Sequence, residues 1–324
     1  MTPAWPPVAI VGVGNMGGAM ARNLLARGLA VHVCDIDGHK TQALQTLGAQ
    51  VAVNPADLRG VAHLFILCVV TAAQVNDVLW GPQGLATSLQ AGDTVMLCPT
   101  IAPQDTEAVS ARLAQQGVDT LDAPMSGGPL RAEQGTMSLM VAGANAVFER
   151  HQAVLDALAD PVFRISERVG DGARTKLVNN LLAGINLVGA AEALALAERL
   201  GLDGARTLAV MAASSAQSWI ASDRMPRALA GDLAPRAHMT LLEKDTALAL
   251  QAAASAGFQG PLGPAAAQVF AQASAAGLAE MDDAALLRFL RSPSQAIQPG
   301  VPVRSKGIST AAAPPGGAAP TMKA

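Results

Sequence analysis

The stretch VAIVGVGNMGGAMARNLLARGLAVHVCD, residues 8–35, constrains the fold more than any other part of the chain. An apolar run, VAIVGV (8–13), passes through Gly12, Gly14 and Gly17 in G-x-G-x-x-G spacing and enters a helix-periodic segment. A second apolar run, AVHVCD (30–35), follows and ends in Asp35. Strand, tight turn, helix and strand within thirty residues build a right-handed crossover between parallel strands. Each glycine has its own reason in such a unit. Gly12 permits the tight turn, Gly14 lets a pyrophosphate approach backbone N–H groups, and Gly17 lets helix and strand pack closely. The helix start, with Asn15 and Met16, adds a positive dipole end for phosphates. Asp35, 18 residues beyond Gly17, stands where a carboxylate accepts hydrogen bonds from ribose hydroxyls and repels a 2′-phosphate. NAD is therefore expected over NADP, with nearby His39 and Lys40 softening the preference.

The alternation continues. LFILCVV (64–70), TVMLC (94–98) and VDTLDA (118–123) read as strands, separated by helical patterns that end at or near glycine. SLMVAG (138–143), a helix near 145–158 and PVFRIS (161–166) complete a first domain, residues 1–166, built as a parallel sheet wound with helices. Beyond Gly170 the strand patterns stop. Ala/Leu-rich helical segments fill residues 167–291, led by one helix from about Gly172 to Leu200 that is roughly 40 Å long. Leu177, Leu181, Gly184, Val188 and Ala195 keep one of its faces apolar, and the other faces are hardly more polar. It is expected to be the axis of an all-helical domain, packed against its copy in a homodimer or homotetramer. Residues 292–324 are rich in Pro, Gly, Ala and Ser without periodicity and are expected to be disordered.

A net charge of −3 and a pI near 5.9 give no basis for nucleic-acid or basic membrane-surface binding. The N-terminus lacks a charged region before its first strand, and no uninterrupted apolar run reaches membrane-spanning length, so a cytoplasmic protein is expected. Cys34, Cys68 and Cys98 each end a strand and have no C-x-x-C spacing; they read as buried free thiols, and no metal site is expected.

A second glycine cluster, DAPMSGGPLRAEQGTMSLMVAG (122–143), holds Ser126, Gly127 and Gly128. Successive N–H groups on such a turn make an anion nest suited to a substrate carboxylate. Lysine is scarce: Lys40, Lys176 and Lys244 are the only ones before the tail. Lys176 in GDGARTKLVNNLLAG sits near the start of the long helix, where a cation opposes the dipole and gains little structurally. Asn180, four residues on, projects from the same face.

Four motifs in order, GVGNMGGAMARNL, DAPMSGGPLRAEQGTMSLMVAG, GDGARTKLVNNLLAG and LLEKDTAL, make the chain resemble the β-hydroxyacid dehydrogenase family over residues 7 to 291. That family includes 3-hydroxyisobutyrate, L-threonate and tartronate semialdehyde enzymes. The resemblance implies a Rossmann-type α/β domain, a doubly wound parallel sheet, followed by an all-helical C-terminal domain, with the active site between them. It implies a catalytic role for Lys176 and substrate contacts from Asn180, Ser126, Gly127 and Gly128. It also implies cofactor contacts from Lys244, Thr100 and Val69, besides those of the glycine loop. Trp219 in SSAQSWIASDRM is a candidate for the substrate pocket. The implied reaction is hydride transfer between a short hydroxy acid, L-threonate- or 3-hydroxyisobutyrate-like, and nicotinamide. Lys176, with a pKa lowered by burial and by Lys244, would move the proton or stabilise the alkoxide. LLAGINLVGAAEALALAERLGL and MDDAALLRFL look nearest the L-threonate branch, whereas KLVNN keeps the asparagine of the 3-hydroxyisobutyrate branch and LCVV departs from its usual MLP. Lack of tyrosine disfavours a sugar phosphate, and the presence of Lys176 disfavours imine reduction. An NADPH-dependent 2-hydroxy-3-oxopropionate (tartronate semialdehyde) reductase and a non-catalytic dinucleotide-binding scaffold are the alternatives.

Overall fold

The computed structural model describes residues 5–292; beyond Ser292, the expectation for the tail falls outside the described residues. Six parallel strands form the body of one sheet: β1 (Val8–Val11), β2 (Val31–Cys34), β3 (Gln50–Val51), β4 (Leu64–Leu67), β5 (Thr94–Leu97) and β6 (Asp119–Asp122). Their spatial order is β3-β2-β1-β4-β5-β6. The chain thus winds outward from β1 in one direction, then crosses to β4 and winds in the other. The crevice beyond the carboxyl ends of β1 and β4 is where such sheets bind ligands.

Helices α1 (Asn15–Ala26), α2 (Gly38–Gln45), α3 (Ala72–Trp80) and α4 (Pro103–Ala114) make the crossovers. Their starts follow local chemistry. Asp37 caps α2, accepting from the His39 N–H. Thr71 and Gln74 cap α3 reciprocally, and Pro103 opens α4 where no N–H is needed. Alternate residues of β1 enter opposite cores: Val8 and Ile10 pack with Met20, Leu24 and Met96, while Ala9 and Val11 pack with Val75, Leu79 and Leu113. Burial on both faces is why this strand reads as a continuous apolar run rather than an alternating one.

The sheet is not parallel throughout. After β6 come β7 (Met125–Ser126), the seven-residue helix α5 (Gly128–Gln134) and β8 (Met137–Ala142), which pairs antiparallel with both β6 and β7. A seven-residue helix rises only about 10 Å. A six-residue strand spans about 20 Å, so α5 cannot return the chain to the starting edge and β8 runs backward. The longer α6 (Asn145–Leu158) does make that return, and β9 (Ala159–Ser166) lies parallel to β8. The short strands β3 and β7 have no counterpart in the sequence reading, because two residues carry no periodicity.

From Asp171 the described chain is helical. The 29-residue α7 (Asp171–Arg199) is packed by α8 (Gly204–Ala212), α9 (Trp219–Ala230), α10 (Met239–Ser255), α11 (Leu262–Ala273) and α12 (Leu286–Arg291). Close approach needs Gly184: a Cβ there would lie 2.9 Å from Thr246 Cγ2 on α10 and 3.2 Å from the Phe270 ring on α11. By length and composition alone α7 could cross a membrane, although Asn186, Glu192 and Glu198 interrupt its apolar run. Its packing makes it the core helix of this half. One apolar face stays open: Val178, Leu182, Leu196 and Leu200 are exposed.

Candidate active site

The glycine loop joins β1 to α1 under tight constraint. Gly12 has φ +87°, and a Cβ on it would lie 2.8 Å from the Cys68 carbonyl and 3.1 Å from Val69 Cγ1. A Cβ on Gly17 would lie 2.0 Å from the Gly12 carbonyl. Gly14 differs, with nothing within 4 Å of where its Cβ would be. The open space is on the loop, at a helix N-terminus that no side chain caps. Such free space beside uncapped N–H groups suits a phosphate, so the residues present fit a dinucleotide.

Asp35 holds the loop as well as facing the expected ribose position. Its Oδ2 accepts from the Val13 N–H at 2.7 Å and its Oδ1 from the Asp37 N–H at 2.9 Å. Each oxygen retains a second lone pair. Asp37 is held below the usual carboxylate range by the His39 N–H and by Lys40, whose Nζ is 3.4 Å away. Ile36 is fully exposed at 105% of its reference area, and Val70 and Val53 are exposed too. These three exposed apolar side chains follow the ends of β2, β4 and β3, on the carboxyl edge of the sheet. The sequence reading missed them because a single exposed aliphatic carries no signal.

The second cluster sits at the far end of the sheet. Gly127 (φ +125°) and Gly128 (φ +76°) lead into α5, and a Cβ on Gly128 would meet nothing within 4 Å. Ser126 pairs with Ser138 across β7 and β8. The Met140 carbonyl of β8 abuts Gly172, where a Cβ would sit 2.8 Å away. The Ser-Gly-Gly turn and the start of α7 therefore flank one strand. Asp122, at the end of β6, ties them: its Oδ2 accepts from the N–H groups of Gly170 (2.8 Å) and Ala173 (2.9 Å). Burial pushes this carboxyl up to about 6, against the pull of those N–H donors. Asp122 is thus the N-terminal cap of α7, supplied from the sheet.

Lys176 lies one turn inside α7 and is only 7% exposed. Among the described residues, no acceptor is within hydrogen-bond reach of its Nζ. Burial pushes its pKa down to about 8; the Asp245 anion opposes this, and Lys244 adds a smaller downward push. Burial and Lys244 thus act in the direction expected from the sequence, which leaves the part of Asp245 open. Asp245 is in fact the hub: 6% exposed, it accepts from Asn180 Nδ2 at 2.6 Å and from Lys244 Nζ at 2.6 Å. Lys244 also donates to the Thr100 carbonyl at 2.5 Å, which joins α10 to the sheet edge. Thr100 accepts this bond through its backbone carbonyl. A second bridge runs from Asn15 Nδ2 to the Arg236 carbonyl at 3.4 Å. Trp219 stands apart at the start of α9, 48% exposed and without a polar link to this network.

A dinucleotide-type glycine loop on the sheet, bonded through Asn15 to the helical half that carries the buried Lys176, is an arrangement suited to an oxidoreductase. Residues 7–167 match the family described as the NAD binding domain of 6-phosphogluconate dehydrogenase. Residues 170–290 match that described as the NAD-binding region of NADP-dependent 3-hydroxyisobutyrate dehydrogenase. The L-threonate dehydrogenase of Cupriavidus necator is 36% identical over 281 residues, 87% of this chain and 95% of that one. The crystal structure of a 3-hydroxyisobutyrate dehydrogenase from Salmonella typhimurium is 36% identical, covers 88% of this chain and 100% of its own, and superposes with a TM-score of 0.83. Psf3 in complex with NADP+ and 2-OPP is similar at 30% identity and a TM-score of 0.83, covering 87% of this chain and 99% of its own. The chain belongs to the β-hydroxyacid dehydrogenase family, NAD(P)-dependent oxidoreductases acting on CH–OH groups.

Proposed function

We propose that the chain oxidises a short hydroxy acid of the L-threonate type with NAD, and that Lys176 manages the substrate proton. The observation that carries this reading is the Lys176 ammonium, buried, without an acceptor among the described residues and with its pKa pushed down to about 8. A substrate hydroxyl supplies the missing partner. A nicotinamide dinucleotide held by the glycine loop would supply the hydride acceptor. Lys176, neutral in part near pH 8, takes the hydroxyl proton; in its charged form it stabilises the developing alkoxide. Asn180, fixed by Asp245, is one helical turn away and holds the substrate oxygen. The Ser126 hydroxyl and the N–H groups of Gly127 and Gly128 receive the carboxylate.

NAD is favoured over NADP because Asp35 and Asp37 both stand at the end of β2, and Lys40 is paired with Asp37. A 2′-phosphate would meet two carboxylates and a cation already engaged. The similarity to an L-threonate dehydrogenase over most of both chains supports the substrate class. A second copy of the chain covers the open face of α7, and the enzyme acts in the cytoplasm.

The test is turnover of NAD and NADP with L-threonate, 3-hydroxyisobutyrate, glycerate and 3-hydroxypropionate, with Lys176→Ala alongside. The expected result is NAD-linked oxidation of one acid, with kcat lower by about a hundred- to ten-thousand-fold in the variant. Dinucleotide affinity should be retained. Full activity in Lys176→Ala would overturn the assignment.

A further inference from the structure

We infer that Cys68 and Cys98 form an oxidisable dithiol, a modification site where hydrogen peroxide closes an intramolecular disulfide beneath the dinucleotide loop. The pair is invisible as a sequence spacing because it is made across two strands. β4 and β5 are parallel with Leu67 paired to Leu97, so the next residues of each, Cys68 and Cys98, stand side by side. Neighbouring strands lie about 4.8 Å apart. That is inside the roughly 4.4–6.8 Å range of Cα separations that a disulfide spans. Both side chains belong to the same core cluster on one face of the sheet, Cys98 buried in it and Cys68 packed against it. A third sulfur completes the cluster: Cys68 Sγ donates to Met20 Sδ of α1 at 3.6 Å.

The two thiols differ in access. Cys98 is buried, and desolvation, with neighbouring Cys68 adding to it, pushes its thiol well above the ordinary range. Cys68 is partly exposed and is the point of entry. Cys34 is separate: its thiol donates to the Val53 carbonyl at 3.8 Å, and burial pushes it up to about 11. The chemistry balances with the peroxide as oxidant. Cys68 Sγ attacks one peroxide oxygen; an S–O bond forms, the O–O bond breaks, and the first water leaves with the thiol proton. Cys98 Sγ then attacks the Cys68 sulfenic acid. An S–S bond forms, the S–O bond breaks, and the hydroxide departs as a second water carrying the Cys98 proton. Two thiols lose two electrons and one peroxide gains them.

The location gives the modification a consequence, which rests on the dinucleotide reading above. Cys68 is the wall of the glycine loop: its carbonyl crowds Gly12, and its Cβ lies 3.0 Å from where a Cβ on Gly17 would be. Drawing Cys68 toward Cys98 takes its sulfur off Met20 and moves the support beneath α1, so oxidation lowers dinucleotide affinity.

The experiment treats the full chain, free of dinucleotide, with limiting hydrogen peroxide. Intact mass, a non-reducing peptide map and NAD affinity by calorimetry are read before and after dithiothreitol. The wild type and C34S should each lose two hydrogen masses, with a Cys68–Cys98 linked peptide that dithiothreitol dissolves. C98S should instead gain oxygen at Cys68. NAD should bind about ten-fold or more weakly in the oxidised wild type, a change of about 1.4 kcal/mol. Absence of the Cys68–Cys98 peptide in folded protein, or linkage through Cys34, overturns the proposal. Unchanged affinity with the link formed overturns its regulatory consequence. A reduced chain with no NAD affinity would count against the dinucleotide site, and the peptide map would still decide the disulfide.

Discussion

Gly14 and Gly17 are three residues apart and answer to different demands. The space at Gly14 is empty of protein, whereas Gly17 abuts the Gly12 carbonyl. Gly14→Ala should leave thermal stability within about 0.5 kcal/mol of the wild type while weakening NAD binding. Gly17→Ala should destabilise by roughly 1–3 kcal/mol as the helix is forced off the loop. Melting temperature and calorimetry on both variants separate the two roles; equal melting points would refute the packing argument. Asp245 carries a second residue-scale prediction. Its anion raises the Lys176 pKa against the effect of burial. With Lys176 as the base for oxidation, kcat/KM rises with pH through about 8, and Asp245→Asn moves that rise to lower pH. A rise that stays put or moves upward in the variant would exclude Asp245 as the group that sets it.

The helix bearing Lys176 owes its start to a residue nearly fifty positions earlier. Asp122 accepts two N–H groups at the first turn of α7, and Gly172 lets the helix settle against the ends of β6 and β8. Asp122→Ala leaves buried donors unpaired and should cost about 1–3 kcal/mol. Asp122→Asn keeps an acceptor oxygen and should cost less. Denaturant titration of the two variants tests the order; equal losses would mean that shape rather than hydrogen bonding matters at this position. The LLEKDTAL and MDDAALLRFL segments have comparable element-scale roles. The first pins α10 to α7 through Asp245, and in the second Asp282 accepts from Arg227 at 2.9 Å and from the Arg236 and Ala237 N–H groups. That fixes the segment whose Arg236 carbonyl meets Asn15.

At the scale of the molecule, buried histidine and carboxyl groups pull pH stability in opposite directions. His151, bonded to Thr94 at 2.8 Å, has its pKa pushed down to about 4 by burial, with Arg150 adding to the effect. Its stabilisation is complete above the unfolded value of about 6.5 and is lost as pH falls toward 4. Asp122 and Asp283 have raised values, about 6 and about 7, and gain stability on protonation over part of the same window. Replacing His151 by Gln should therefore remove an acid-destabilising component. The difference in melting temperature between wild type and variant should shift in the variant's favour between pH 6.5 and 4; a constant difference would show that His151 does not titrate on unfolding. The open face of α7 is the other whole-molecule feature. Leu182 is 58% exposed there. With a second copy proposed to cover this face, Leu182→Glu should lower the mass by light scattering relative to the wild type, and an unchanged mass would count against that interface.

Local pattern alone determined much of this protein. The β1–α1–β2 unit, the doubly wound class, the change to helices after Gly170 and the glycine spacing all follow from periodicity and steric rules that act over a few residues. Lys176 stood out for a similar local reason, an ionisable group in an apolar helix, and Asn180 for lying four residues on along the same face. Tertiary structure decided what depends on neighbours distant in sequence. Asp245 became a hub because α10 lies against α7, and Asp122 became a cap because β6 ends under that helix. Thr100 met Lys244 through its backbone carbonyl. Cys68 met Cys98 because β4 and β5 pair in register. Periodicity records which way a side chain faces along its own element. The identity of what it meets is set by long-range packing, which no local window contains.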